Sequence, residues 1–346
     1  MGKNFEVNLV SKYRQEIYGF AAIWVMLSHV ADYSVVDFSR LGRFGYVVQN
    51  AFSHGNISVD IFLFLSGISL YYAWTKKPDI DHFYRGRIGR ILPSYVLIVV
   101  VVGIIQSILK IGWYPRAPIF MLSGIELFVD GGRYVPWYAS AILFFYLIFP
   151  VIFVFLYGKN SKHHALRYLV LMIASYALIL FVHRYNPDYY NMIEIVINRI
   201  PVFVTGVFAG AFVKAGKKYT SLTWLLLIIM TVAYVYIRMH LDAWYYRVPL
   251  IIGAIPLSYL IAAFARFLDN RKNAVAKGLQ KFLQTMGSIS FEFYIAHVMF
   301  CRVMNTDDNH VGIGIWTIGM IISFIVSIYV RKASIKIIEK RQQATQ

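Results

Sequence analysis

The sequence predicts an all-α integral membrane protein, and two observations support that prediction. Of the 346 residues, 59% are hydrophobic and only 15% are charged, whereas a soluble domain has about 45–50% apolar and about 25% charged residues. The apolar residues also form runs of membrane-spanning length that short polar clusters separate. A soluble enzyme is therefore excluded, and the lipid bilayer is the solvent in which the chain folds.

Ten apolar runs are expected to be transmembrane helices, because about 20 apolar residues in a helix cross the hydrocarbon core. We expect a single transmembrane domain over residues 1–346, without a fused soluble domain. A secretory signal competes with an anchor for the first run, but no small-residue cleavage site follows it, which favours the anchor. The runs cover residues 16–33, 57–74, 91–109, 137–157, 166–182, 195–213, 222–237, 248–265, 283–301 and 313–330.

The charges predict an orientation. The chain has 34 Lys and Arg against 17 Asp and Glu, a net charge of +17. These cations flank the apolar runs and form no single basic face, so we expect no nucleic-acid partner. Most of them lie in the segments on the same side as the N-terminus. With ten spans, the positive-inside rule places both termini in the cytoplasm.

Two ionisable residues lie at similar depth near the outer side of the first two predicted spans. An ionised side chain within a span costs about 2.5–3.5 kcal/mol on insertion scales, which makes it a candidate functional group. His29 is near the end of the first run, and Asp60 is near the start of the second. They could be a catalytic base and its orienting carboxylate. The alternative is an interfacial histidine and a helix-capping aspartate.

Two arginines precede the third predicted span. Arg87 and Arg90 are three residues apart, so on a helix they share a face and could hold one phosphate group through two guanidinium groups. Gly86 and Gly89 would let a ligand approach closely. The alternative is that these arginines only mark the cytoplasmic side of the membrane.

The ninth predicted span contains Glu292 and His297. They are five residues apart, which separates them by about 140° around a helix, so each needs a partner from another helix. Structural hydrogen bonds between helices are one interpretation. A metal site is not expected, because no cysteine cluster and no histidine pair with ligand spacing is present. The lone cysteine, Cys301, excludes an internal disulfide.

Taken in order, these segments resemble the membrane-bound acyltransferase-3 family of bacteria, which transfers acetyl or other short acyl groups from cytoplasmic acyl-CoA to extracytoplasmic sugars. The resemblance covers almost the whole chain. It rests on Gly19-Phe20-Ala21-Ala22 before His29, Val59-Asp60-Ile61-Phe62 before Ser66-Gly67, Phe83 to Arg87-x-x-Arg90-Ile91-Leu92-Pro93, Trp137 through Tyr146 to Pro150, and Ser288-Ile289-Ser290 through Tyr294 to His297.

The resemblance implies a donor, a catalytic base and an acceptor. Arg87 and Arg90 would hold the phosphates of acetyl-CoA, and His29, oriented by Asp60, would take the proton of the acceptor hydroxyl. An acyl-histidine relay is an alternative. The acceptor would be a cell-surface polysaccharide or a glycolipid, with a separate extracytoplasmic transferase as a further potential partner. The expected location is the plasma membrane of a bacterium.

The resemblance also implies residues that line the substrate path or the channel. Trp137 could stack on a sugar or belong to the aromatic belt. Ser66 is expected to permit close helix packing with Gly67 more than to act as a nucleophile. The full set is Tyr18, Ser66, Trp137, Tyr146, Glu292 and His297.

Tyr18 marks a departure from the family pattern. The family usually has an arginine or another basic residue eleven positions before the histidine, and this sequence has Tyr18 there. Arg14 lies one turn earlier on nearly the same face, and its long side chain could take over contact with the acyl donor. A smaller departure is Leu63, where the family often repeats phenylalanine after Phe62.

A non-enzymatic function is the competing class. In a transporter or a flippase of lipid-linked sugars, buried ionisable residues relay protons or bind the substrate, and composition alone does not separate that class from an enzyme. A purely structural role is a third class. The paired arginines before Ile91-Leu92-Pro93 favour the enzyme.

Overall fold

The structure is a computed structural model, and it describes residues 4–33, 35–109, 124–131, 136–158, 162–240, 250–304 and 312–343. Most of the connection between the third and fourth predicted spans, 110–136, lies outside the described residues, as do some of the cations counted for orientation, such as Lys159 and Arg247. Within the described residues the chain is almost entirely helical.

Helices account for most of the described residues. They are α1 Leu9–Lys12, α2 Arg14–Asp32, α3 Gly42–Ser53, α4 Ser58–Lys76, α5 Ile80–Leu109, α6 Glu126–Asp130, α7 Trp137–Tyr157, α8 His164–Tyr185, α9 Pro187–Ile197, α10 Ile200–Lys214, α11 Leu222–His240, α12 Leu250–Asp269, α13 Ala274–Ser288, α14 Ser290–Met304 and α15 Ile313–Gln343. Two 3₁₀ helices, Phe38–Leu41 and His54–Ile57, flank α3.

Two short strands pair with each other. β1, Asn4–Glu6, runs antiparallel to β2, Lys218–Thr220, with Phe5 opposite Tyr219. The hydrophobic pattern did not predict this ribbon, because three-residue strands outside the apolar runs have no periodicity to detect.

Seven helical stretches among the described residues are long and apolar enough to cross a membrane, which confirms the prediction of an all-α membrane protein. They are Phe38–Lys76, Trp137–Tyr157, His164–Tyr185, Pro187–Lys214, Leu222–His240, Leu250–Asp269 and Ile313–Lys340, and Ser290–Cys301 is a shorter apolar helix. The count of ten spans and the cytoplasmic termini stay predictions.

Two of the predicted runs are broken. The run over 195–213 is interrupted between α9 and α10, at Asn198 and Arg199. Pro201 lies in the first turn of α10. Proline suits this position because backbone N–H groups in the first turn make no hydrogen bond within the helix, so the N–H that proline lacks is not needed. The run over 283–301 is interrupted at Ile289, between α13 and α14. Residues 283–288 therefore belong to a separate helix.

The described chain forms two compact units, each assembled from three separated segments. The first contains Met1–Ala21, Ile57–Phe83 and Phe144–Gly287, and the second contains Ala22–Asn56, Tyr84–Leu143 and Ser288–Gln346. Single-domain organisation stays a prediction.

In the first unit, α4 and α10 pack backbone to backbone. A Cβ on Gly67 would lie 2.6 Å from the amide nitrogen of Val207, and a Cβ on Gly206 would collide with the carbonyl of Phe64. Small residues permit such close approach in membranes. The contact holds the helix that carries Asp60 and Ser66.

In the second unit, α2, α14 and α15 share an apolar cluster. Its buried members are Val30, Val35, Phe38, Cys301, Trp316 and Met320, and Val48 and Phe52 of α3 pack against it. The cluster fixes the end of α2 that carries His29.

Candidate functional site

His29 of α2 lies beside His297 of α14 in the second unit. Their ring centroids are 5.2 Å apart with an angle of 33° between the ring planes. His297 is fully buried, and its other ring neighbours are Phe293 at 5.0 Å and Tyr294 at 5.8 Å. His29 is half-buried. The structure therefore brings together two histidines that the sequence placed in different motifs.

One hydrogen bond sets the tautomer of His297. Its Nδ1 lies 2.7 Å from the carbonyl oxygen of Phe293. Because a carbonyl only accepts, Nδ1 carries the hydrogen of the neutral ring, and the lone pair is on Nε2. Nε2 is buried and has no hydrogen-bond partner among the described residues. It can accept a hydrogen bond from a hydroxyl group or from water.

Glu292 joins three helices of the second unit. The hydroxyl of Ser94 lies 2.7 Å from its Oε1 and 2.8 Å from Ser334 Oγ, and Arg331 Nη1 lies 3.5 Å from the same Oε1. A carboxylate only accepts, so Ser94 donates to Glu292, and Ser334 then supplies the proton of the other bond. The partners come from α5 and α15, as the spacing of the residues in α14 required. The network fixes α5 just after its arginines.

Arg87 and Arg90 are in the first turns of α5, so they share a helix face as predicted. Arg87 is half-buried and Arg90 is exposed. A Cβ added at Gly86 or Gly89 would meet no atom of the described residues within 4 Å. Next to the two arginines, the helix surface is therefore uncovered at these glycines by any described residue.

Aromatic packing in the first unit holds the start of α5, ahead of its arginines. Phe83 is buried, stacks on Phe149 with the ring centroids 5.1 Å apart, and meets Trp74 at 5.4 Å. Asp79 also caps the helix, since its Oδ1 accepts from the backbone N–H of His82 at 2.6 Å.

Asp60 is fully buried in the first unit and pairs with an arginine that sequence reasoning missed. Its Oδ1 lies 3.2 Å from Arg199 Nε. Arg199 Nη1 also donates to the carbonyl of Ile195 at 2.7 Å. The sequence does mark this residue, because Arg199 is a charged residue inside the predicted apolar run over 195–213. The role of Asp60 toward His29 stays a prediction.

Arg14 and Tyr18, on α2, both contact α4 in the first unit. Arg14 Nη1 donates to Ser69 Oγ at 3.2 Å, and the ring of Tyr18 lies 5.5 Å from that of Phe62. Tyr18 therefore packs on the motif that contains Asp60. That Arg14 replaces the family's basic residue stays a prediction.

The remaining predicted residues are distributed over both units. Trp137 begins α7 in the second unit, half-buried, 6.1 Å from the ring of Tyr138. Tyr146, further along α7, is half-buried and belongs to the first unit, as does the buried Ser66 of α4. Their substrate-lining roles stay predictions. Among the described residues, no three His, Cys, Asp or Glu side chains form a metal-ligand group.

These features define a helical, multi-pass membrane protein with buried ionisable residues. Comparison with protein families then identifies the family: the family model for an acyltransferase domain matches residues 19–332. The chain belongs to the acyltransferase-3 family, which confirms the resemblance, and it is an acyltransferase. Neither a curated protein nor a solved structure matches the chain. Of the classes considered from the sequence, the family match supports the enzyme.

Proposed function

We propose that the protein transfers an acetyl or other short acyl group from cytoplasmic acyl-CoA to a hydroxyl group of an extracytoplasmic carbohydrate. The observation that carries this proposal is the family match over residues 19–332, because it includes both His29 and the arginine pair. In the structure these residues belong to the same compact unit.

The arginine pair of α5 is the proposed donor site. Coenzyme A carries several phosphate groups, and guanidinium groups bind phosphate through charge-assisted, often bidentate hydrogen bonds. The side chains of Arg87 and Arg90 share a face, and the open space at Gly86 and Gly89 would admit the nucleotide. Acetyl-CoA is the proposed donor, since acetyl is the commonest acyl group in the family.

His29 is the proposed general base. Its imidazole would accept the proton of the acceptor hydroxyl while that oxygen attacks the thioester carbonyl carbon. The carbon–sulfur bond then breaks, and the imidazolium returns the proton to the thiolate of CoA. Transfer through an acyl-histidine would use the same residue as a nucleophile.

The proposed acceptor is a cell-surface polysaccharide or a glycolipid at the plasma membrane of a bacterium. Trp137 offers an aromatic face on which a sugar could stack. The buried Nε2 of His297, close to His29, offers an acceptor for a sugar hydroxyl. A separate extracytoplasmic transferase could complete the transfer.

The test uses purified protein in proteoliposomes with radiolabelled acetyl-CoA. We expect CoA release from the wild type, and loss of release in His29→Ala and in the double variant Arg87→Ala, Arg90→Ala. Only the arginine variant should also lose binding of acetyl-CoA. Arg85→Ala removes a neighbouring charge from the same turn and serves as the matched control, with activity near that of the wild type.

Two results would contradict the proposal. A wild type that neither binds nor consumes acyl-CoA would exclude this donor. If Arg85→Ala weakened binding as much as the double variant, the effect would come from overall positive charge and would exclude a specific site at Arg87 and Arg90.

A further inference from the structure

Helix α13, Ala274–Ser288, is docked on the first half of α2 through two glycines. A Cβ on Gly19 would collide with the carbonyl of Leu283, and a Cβ on Gly287 would collide with the carbonyl of Gln15. The two helix backbones are therefore in contact at both points. This contact leaves α13 little freedom to rotate about its own axis.

Hydrogen bonds reinforce the same orientation. Gln280 and Gln284 both donate to Glu16 Oε1, at 3.3 Å and 2.8 Å, and Glu16 is buried. Where α12 ends, the hydroxyl of Tyr13 donates to Asp269 Oδ2 at 2.8 Å, and partial burial raises the pKa of Tyr13. The two glutamine contacts fix which face of α13 turns inward, and Gln280 also donates to Asp269 Oδ1 at 3.3 Å.

With that face fixed, α13 exposes an apolar stripe. Val275, Leu279 and Phe282 follow i, i+4, i+7 spacing and are 80%, 38% and 47% exposed. The orientation is set by the contacts with α2, so the exposure of this stripe does not come from loose packing. A stable apolar face of this kind needs an apolar neighbour.

The other exposed side of α13 is basic. Lys277 and Lys281 are four residues apart, on the side of the helix opposite the stripe, and Arg271 and Lys272 directly precede the helix. Residues 270–291 include these four cations and no acidic residue. The surface therefore suits an anionic partner.

The position of α13 in the chain identifies that partner. The preceding helix, α12, is long and apolar enough to span the membrane. It ends at Asp269, and residues 270–273 connect it to α13. The apolar helix Ser290–Cys301 follows α13 directly. A helix that connects a helix of membrane-spanning length to another apolar helix is expected at the membrane boundary, where an apolar face meets acyl chains and cations meet phosphates.

We propose that α13 lies on the membrane surface as an interfacial helix, with Val275, Leu279 and Phe282 in the boundary between headgroups and acyl chains, and with the long side chains of its cations reaching around the helix to the headgroups of anionic phospholipids. This proposal does not depend on the identity of the acyl donor or the acceptor. Its structural consequence is that the lipid surface holds α13, and α13 in turn holds the first half of α2.

The apolar contact can be tested with nitroxide labels. Cys301 is the lone cysteine and is fully buried, so cysteines introduced at residues 275, 279 and 282 can be labelled selectively. In proteoliposomes, these labels should collide severalfold more often with oxygen than with a water-soluble nickel complex. A label at Lys277→Cys should show the reverse. If the labels at residues 275, 279 and 282 were as accessible to the nickel complex as the label at Lys277→Cys, the stripe would lie in water and the proposal would be overturned.

The anionic contact needs a second comparison. The Leu279→Cys label is measured in vesicles of phosphatidylcholine alone and of phosphatidylcholine with phosphatidylglycerol at a three-to-one ratio. We expect severalfold lower nickel accessibility with phosphatidylglycerol, and loss of this difference in Lys277→Gln, Lys281→Gln. The control Lys336→Gln, Lys340→Gln removes two equally spaced lysines of α15 and should keep the difference. Equal accessibility in both vesicles would overturn binding to anionic lipid.

Discussion

At the scale of single residues, the structure shows that the buried ionisable groups are held by partners that the sequence did not pair with them. Asp60 is paired with Arg199, and Glu292 with Ser94 and Arg331. Buried charges need such partners because the low-dielectric interior penalises an isolated ion. The pairings come from helices that are far apart in sequence, which periodicity does not connect.

Asp60→Asn should destabilise the protein more than removal of both charges. The single variant removes the fully buried carboxylate that faces Arg199, for which we expect a loss of about 3–5 kcal/mol. Asp60→Asn, Arg199→Met removes both members of the pair, so part of the loss should be recovered. Thermal unfolding in detergent measures both. A double variant no more stable than Asp60→Asn would show that the ion pair does not determine the effect.

Glu292→Leu should weaken the donor site without removing any arginine from it. The change leaves the buried hydroxyl of Ser94 without its carboxylate acceptor, which costs about 1–3 kcal/mol and loosens α5 just after Arg90. We expect a raised KM for acetyl-CoA. Glu292→Gln keeps an acceptor oxygen at nearly the same place and should recover most of the binding. If Gln behaves as Leu does, the negative charge facing Arg331 is the essential feature.

At the scale of elements, glycines have opposite roles in different helices. Gly206 of α10 faces the carbonyl of Phe64, whereas Gly86 and Gly89 of α5 face open space. Glycine destabilises a helix interior by about 1 kcal/mol relative to alanine, so each of these positions needs a reason. Close packing explains Gly206. Among the described residues no packing contact explains the pair in α5, and the donor site proposed there offers a reason.

Gly86→Ala, Gly89→Ala should therefore separate stability from donor binding. Within the part of the chain that the structure describes, alanine meets no atom within 4 Å at either position, and it improves helix propensity, so the unfolding temperature should be unchanged or higher. If the nucleotide approaches this face, KM for acetyl-CoA should rise severalfold. Gly278→Ala, at an open position of α13, is the matched control and should leave KM unchanged. An unchanged KM in the α5 variant would remove the glycines from the donor site.

At the scale of the whole molecule, the apolar runs predicted the helical membrane fold well, and the polar residues predicted the site less completely. Over their described residues, eight of the ten predicted runs coincide closely with one helix each, because the bilayer requires continuous apolar helices, and the other two are each divided between two helices. The breaks at Asn198–Arg199 and Ile289 were not predicted, since each lies inside an apolar run. The proximity of His29 to His297 depends on tertiary packing, which spacing along one helix does not encode.

The orientation of the molecule in the membrane is the prediction on which the proposed chemistry depends most. The excess of Lys and Arg on the N-terminal side predicts cytoplasmic termini, and ten spans would then place Arg87 and Arg90 on the side where acyl-CoA is available. A fluorescent protein that matures only in the cytoplasm should therefore fluoresce when fused to either terminus. Alkaline phosphatase, which is active only outside, should be active when fused after residue 50 and inactive after residue 80. The reverse pattern would put the arginine pair outside, where acyl-CoA is absent, and the pair would then have to bind a different anion.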